Sequence, residues 1–312
     1  MGAEPMSAHH SRPRVLVLMA TYNGGQWIAE QIDSILSQSE VEVRILASDD
    51  GSTDDTLTIL EDRGVTVLEA RTGKRGSAQN FCHIIAAASA QEDEYVALAD
   101  QDDIWYPGRL ARQVKLLREG PFDAVSSSID ALYADETKKI LRKDFPERRL
   151  DFVCQSPGPG STYVFTPQAF AQLQKDLRSG VVDTDAVGFH DWLLYTLARA
   201  HMMKWHIDST PTLAYRQHEA NDMGANSGLG AARTRAAMLG AGWYREQFAL
   251  MARTARAVTT EPGMSAEMDQ TLSLLQGKGI VNRVRLAWHC RHLRRRKRDR
   301  IVLALMELLG LW

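Results

Sequence analysis

The sequence predicts an α/β protein built on a mainly parallel central sheet, with a helical extension at its C-terminal end. Three observations predict it. The segments RVLVLMA (14–20), VEVRILA (41–47), VTVLEA (65–70) and YVALA (95–99) are short, nearly continuous apolar runs, the pattern of strands covered on both faces. The first three each lead through a polar loop into a stretch whose apolar residues recur at helical spacing, the rhythm of βα units around a parallel sheet. Beyond about Tyr215 strand patterns cease, and two helix-forming stretches carry the chain to its end. The expected organisation is a flexible N-terminus over 1–13, a single ligand-binding α/β domain over 14–222, and a helical region over 223–312 with a basic and apolar tail.

Each element has a local reason. After TYNGG, the helix WIAEQIDSILSQ places Trp27, Ile28, Ile32, Ile35 and Leu36 at helical spacing. The helix after SDDGST is capped by Thr53 or Asp54 and ended by Gly64. In RTGKRGS, Ser77 is placed to cap AQNFCHIIAAASA, and Lys74 and Arg75 are placed to meet phosphate charge. FDAVSSSI supplies a further strand, and STYVFTPQAF reads as a strand entering a helix with Pro167 at its first position. The helix FHDWLLYTLARAH and the strand MKWHID follow. Residues 135–160 are charged and rich in Pro and Gly, which predicts surface excursions.

Composition bounds the function. With 312 residues, 44% hydrophobic and 24% charged, the chain has the make-up of an ordinary globular protein with one substantial core. A formal net charge of −2 argues against nucleic acid as a partner. Cys82, Cys154 and Cys290 form neither a CxxC pair nor a zinc cluster, which fits a reducing compartment. No apolar stretch precedes the first strand and no apolar window is long enough to span a bilayer, so a cytoplasmic protein is expected.

Chemistry concentrates at the strand ends, where ligands of parallel sheets bind. In LADQDDIW (98–105), an extended backbone sends Asp100 and Asp102 to the same side, where two carboxylates repel unless a cation lies between them. A hard divalent ion, Mg²⁺ or Mn²⁺, suits such oxygens and bridges to phosphates. The same residues also fit loop caps facing water, and Asp103 reads best as a cap. Asp49 and Asp50 end the neighbouring strand. One of them suits the imide N–H of a uracil or thymine ring or a ribose hydroxyl, with the other holding the loop. Tyr22 is placed to stack on a base or to pack over the sheet edge. Neither GxxxxGK[ST] nor GxGxxG is present.

The ordered set ATYNG, SDDGSTDDT, Asn80-Phe81, ADQDDIWYPGRL, FHDWLL and YRQHEAND resembles the inverting family 2 glycosyltransferases of GT-A fold, especially bacterial rhamnosyltransferase-like members, over most of residues 14–222. The resemblance implies transfer of a sugar from a nucleotide diphosphate donor, of dTDP or UDP type, to the hydroxyl of a saccharide or lipid-linked saccharide. It places Ala20, Tyr22, Asp49, Asp50, Lys74, Asn80, Asp100 and His218 at the donor, with Asn221 a weaker candidate. It assigns Asp102, Asp100 and His218 to the metal and Asp191 to the general base. Asp191 also fits a helix-start residue stabilised by the local dipole, and His190 a neighbour of the diphosphate or a core histidine.

The tail RHLRRRKRDRIVLALMELLGLW is too short in its apolar part to span a bilayer. It suits the interface of an anionic membrane, which would place the enzyme at the cytoplasmic face of the inner membrane. The same residues suit a helix docked on the catalytic domain or on a second copy of the chain, as in a homodimer. Two other activities fit carboxylates on an α/β sheet, a nucleotidyltransferase making nucleotide sugars and a non-catalytic nucleotide-sugar or carbohydrate-binding protein. The first usually needs a basic, glycine-rich loop near the first strand, which TYNGG lacks; the second gives no reason for a base at Asp191.

Overall fold

The computed structural model describes residues 12–218 and 242–311. Most of the expected flexible N-terminus, Asn221 and the domain boundary at 222 lie outside the described residues. The four apolar runs form β1 (Arg14–Thr21), β2 (Glu42–Asp49), β3 (Thr66–Val67) and β4 (Tyr95–Ala99). β1 pairs in parallel with both β2 and β4, and its ladder to β2 runs from Arg14↔Glu42 to Thr21↔Asp49. With β6 (Ala124–Ser127), β9 (Val164–Phe165) and β10 (Trp205–Asp208) they make a seven-stranded sheet ordered β10-β6-β9-β4-β1-β2-β3. β9 runs antiparallel to β4 and β6.

The lack of apolar alternation in β1 has a direct cause: both of its faces are covered. Val15, Val17 and Met19 enter one core with α1 (Ile28–Leu36), α2 (Thr56–Asp62) and α4 (Arg109–Glu119). Leu16 and Leu18 enter the other with α3 (Ser77–Ala87), α5 (Pro167–Arg178) and α6 (His190–Ala200). Helix starts follow local chemistry. Thr166 caps α5 by accepting from Ala169 N, with Pro167 at the first position. At α2 it is Asp54 that accepts from Thr56 N, at 3.1 Å. Ser77 does not cap α3: it is the first helical residue, behind Gly76.

A second sheet, ordered β5-β11-β7-β8, is formed by β5 (Ile104–Trp105), β7 (Ile129–Leu132), β8 (Lys138–Leu141) and β11 (Leu213–Arg216). β11 pairs with β5 through Leu213↔Trp105 and Ala214↔Ile104, which returns the chain to the loop after β4. β8 belongs to the segment expected as surface excursions, and that expectation fails further on. Leu150, Phe152, Val153 and Cys154 are buried, and Asp151 is fully buried among them.

The physical reason lies far away in sequence. Asp151 Oδ2 accepts from Arg295 Nε at 2.6 Å, and Oδ1 accepts from Tyr195 Oη and Arg199 Nη1, each at 3.1 Å. Arg295 belongs to the C-terminal region, where four helices are described: α7 (Trp243–Val258), α8 (Pro262–Gln276), α9 (Ile280–His289) and α10 (Lys297–Leu309). Phe248, Met251, Met268, Leu286, Leu293 and Leu303 extend the core that contains α6. The basic tail is thus docked on the α/β domain by a buried charge pair and an apolar face, while Ile301, Leu305, Leu308 and Leu309 remain exposed. No helix among the described residues is long and apolar enough to cross a membrane.

Removing one partner of a buried ion pair strands the other. Asp151→Ala, which leaves the buried Arg295 uncompensated and Arg199 with Glu147 alone, should lower unfolding stability by about 3–5 kcal/mol in urea denaturation. An unchanged midpoint would show that the pair does not anchor the tail.

Candidate active site

Beyond the carboxyl ends of β1, β2 and β4, three loops are fastened to one another by side chains. Asp49 Oδ1 accepts from Gly51 N at 2.9 Å and Ser52 N at 2.7 Å, while Oδ2 accepts from Thr21 Oγ1 at 2.8 Å. Asn80, buried in α3, donates to Ser48 O at 2.7 Å and accepts from Ser48 Oγ at 2.6 Å. Asn23 Oδ1 accepts from Thr53 N at 2.8 Å, and Asp54 Oδ2 from Gly25 N at 2.9 Å. Gln101, between the aspartates, both accepts from Tyr22 N (2.9 Å) and donates to Tyr22 O (3.0 Å). Its side chain lies so close to Gly24 that a Cβ there would sit 2.4 Å from Oε1.

These loops frame a cavity of about 1180 Å³. Ala20, Tyr22, Asp50, Asn80, Asp100, Asp102 and Asp191 all line it, so residues up to 171 positions apart meet in one place. Tyr22 is 53% exposed, free to present its ring. Asp50 pairs with Arg71 Nη2 at 2.7 Å and accepts from Gly76 N at 2.7 Å. Asp49 and Lys74 are not among the lining residues: Asp49 holds the loop, and Lys74 Nζ donates to Asp185 O. Arg75 lines the cavity instead, its guanidinium laid against Gly51, whose φ of +90° and missing side chain make the room.

Asp103 does not cap a turn. It is buried, its Oδ1 lies 3.3 Å from Arg216 N, and burial and the neighbouring Asp102 and Asp100 charges raise its pKa well above the carboxylate range. Asp102 Oδ2 is 2.7 Å from His218 Nε2, and the imidazole stacks on Trp27 with centroids 4.1 Å apart. His218 Nδ1 is buried with no hydrogen-bond partner among the described residues. Among the described residues, no group of three or more His, Cys, Asp or Glu is arranged to hold a metal ion by itself.

Asp191 stands in the first turn of α6 and Oδ1 accepts from Trp192 N at 2.6 Å. Burial pushes its carboxyl up to about 6, against the nearby Ser156 hydroxyl, the Trp192 N–H and the Lys143 charge, which favour ionisation. Lys143 also lines the cavity, and burial lowers its pKa. His190 lines the cavity from a buried position, stacked on Phe81 at 3.7 Å, its pKa lowered to about 3 by burial. It stays neutral.

Sequence reasoning passed over Gln101, Arg71 and Lys143. Gln101 had a signal, since the period of two that pairs Asp100 with Asp102 sends it the other way. The cavity has a further wall from the tail, where Arg294, Arg298, Val302 and Met306 line it. No local pattern announced that.

Paired acids at the mouth of a mainly parallel sheet thus share one cavity with Asp191. Residues 16–180 match the model of the family described as "Glycosyl transferase family 2". The chain belongs to that family and is a glycosyltransferase of the rhamnosyltransferase-like kind. It is 32% identical over 300 residues to a dTDP-rhamnosyl transferase, RfbG, of Shigella flexneri, covering 94% of this chain and 100% of that one. Its fold matches that of S. aureus TarS residues 1–349 in complex with UDP-GlcNAc, at a TM-score of 0.56 and 17% identity over 96% of this chain and 81% of that one. It also matches a Pyrobaculum calidifontis mannosyltransferase in complex with GDP-Man and Mn²⁺, at 0.50 and 18% over 97% and 86%.

The unfolded chain releases the Asp191 proton near the ordinary carboxyl value of 3.8, whereas the folded chain holds it to about 6. Rising pH therefore costs the fold stability between those values, on the order of 2–3 kcal/mol once the group is ionised. Asp191→Asn should raise the urea midpoint at pH 8 and change it little at pH 4. Equal midpoints at pH 8 would contradict the burial of this charge.

Proposed function

We propose that the chain transfers a 6-deoxyhexose, L-rhamnose, from dTDP-L-rhamnose to a hydroxyl of a saccharide or lipid-linked saccharide, with inversion and with the help of Mg²⁺ or Mn²⁺. The observation that carries this is a carboxylate held near pKa 6 in the same cavity as the Asp100/Asp102 pair. The relationship to the Shigella enzyme over nearly the whole chain supports the donor.

Asp191 takes the proton of the acceptor hydroxyl as its oxygen bonds to the anomeric carbon, from the face opposite the departing diphosphate. The bond between that carbon and the diphosphate oxygen breaks, and its electron pair leaves with the nucleoside diphosphate. Arg75 supplies positive charge where that anion develops, and Tyr22 offers a stacking face for the base. Asp50, held by Arg71, faces the same cavity as Tyr22 and suits the base or ribose. Asp49 and Asn80 act through the loops they fasten, and Lys74 through the Asp185 carbonyl.

The donor chemistry of Asp102, Asp100 and His218, two carboxylates and an imidazole, fits Mn²⁺ or Mg²⁺. Among the described residues too few protein ligands converge to hold such an ion alone, which fits an ion completed by substrate phosphates. When bound, the ion would offset the diphosphate charge. Trp27 keeps His218 in place through stacking.

The exposed apolar faces of α9 and α10, with Trp288 70% and Leu309 68% exposed among basic side chains, suit an anionic membrane surface. Trp288→Glu together with Leu309→Glu should reduce retention on phosphatidylglycerol vesicles, and unaltered retention would reject that contact. Sedimentation of both proteins reads a homodimer through the same face.

Asp191→Asn should cut rhamnosyl transfer by at least a thousandfold with dTDP affinity within twofold of the parent. In the parent, kcat/KM should fall tenfold per pH unit below about pH 6, because the base must be ionised. Asp102→Asn should weaken dTDP binding in Mn²⁺ and leave binding in EDTA unchanged. Transfer by Asp191→Asn at the parent rate would remove the base assignment.

A further inference from the structure

We propose that His190 is a specificity-determining residue whose imidazole carries its proton on Nδ1 and offers it, as a fixed donor, to a ring hydroxyl of the sugar being transferred. This rests on the transferase reading and adds a residue that reads the sugar rather than its nucleoside or phosphates.

The two ring nitrogens of His190 stand in different surroundings. Among the described residues, Nε2 is sealed from solvent and makes no hydrogen bond. A Cβ built on Gly160 would sit 2.3 Å from Nε2, so the hydrogen that this glycine carries in place of a side chain points at the nitrogen. That contact separates the tautomers. A proton on Nε2 would bury a donor against a C–H group, whereas a bare lone pair there receives a weak C–H contact. The proton therefore belongs on Nδ1, which is not sealed in the same way and finds no acceptor among the described residues. His190 is 9% exposed and lines the same cavity as Asp191, so a donor is left facing the space that substrate enters.

Position selects the sugar as the partner of that N–H. The imidazole stacks on Phe81, with ring centroids 3.7 Å and planes 22° apart. Phe81 lies one turn into α3, which starts behind Arg75 and Gly76, and all three line the cavity. On its other side His190 is followed at once by Asp191. The ring pair thus joins the wall that carries Arg75 to the turn that carries the base, and in the proposed transfer the sugar lies between diphosphate and base. Burial keeps the imidazole uncharged. An uncharged N–H beside an aromatic ring suits a hydroxyl, whereas a phosphate calls for a cation. A site built to bond a hydroxyl in this way rejects a ligand that lacks it.

The test uses the full chain with Mn²⁺. Two-bond ¹⁵N–¹H correlation of histidine-labelled protein, with His190→Phe to assign the signal, should show His190 protonated on Nδ1. In calorimetry His190→Phe, which keeps an aromatic ring on Phe81, should weaken dTDP-L-rhamnose at least tenfold and leave dTDP within twofold of the parent. His190→Asn, whose amide N–H falls near Nδ1, should stay within threefold of the parent for both. Gly160→Ala, which drives a methyl group into Nε2, should behave as His190→Phe does. Equal weakening of dTDP and dTDP-L-rhamnose by His190→Phe, or parent-like binding of both, would overturn the sugar contact, and so would a proton on Nε2. A parent chain that binds neither ligand would instead sink the donor reading and this contact with it.

Discussion

Asp49, Asn80 and Gln101 direct their hydrogen bonds to backbone and neighbouring hydroxyl groups at the ends of β1, β2 and β4, and the cavity exists because of it. Three carboxyl groups cluster after β4, where mutual repulsion and desolvation oppose folding. Asp103 answers by favouring its protonated form, and Asp102 by pairing with His218. Without the lock, that stress would spread the loops. With it, the stress stays as an acidic field at the mouth of the sheet.

The second organising contact is the charge set around Asp151. It joins a segment of the α/β domain to α6 and to the arginine run before α10. Buried ion pairs of this kind add little net stability but strongly oppose a mispaired alternative. Here the consequence is positional. Because Arg295 is anchored, the next turns of chain lie along the cavity, and a tail that looks like an appendage becomes part of its wall.

Much of the cavity's lining was legible from residue order. The apolar runs identify strands, and the acids that follow them identify the mouth of the sheet; Tyr22, Asp50, Asp100, Asp102 and Asp191 meet in one cavity. Division of labour within each pair was not legible. Asp49 and Asp50 are adjacent and alike, and only their partners separate them, loop amides for one and Arg71 for the other. Lys74 and Arg75 are divided in the same way, by the direction each side chain takes from the loop. Residues 135–160 were misread because local polarity there reflects partners in α6 and before α10, which no window of neighbouring residues contains.

The sequence by itself determined the class of fold, the parallel strands at the centre and the acids at their ends, because apolar period and turn chemistry are properties of adjacent residues. The tertiary structure alone decided which acid lines the cavity and which holds a loop, how His218 reaches Asp102 across 116 positions, and that α10 borders the cavity. Those outcomes depend on long-range pairing, the β5–β11 ladder and the Asp151–Arg295 contact. Each joins segments whose nearness is set by the packed core rather than by the chain between them.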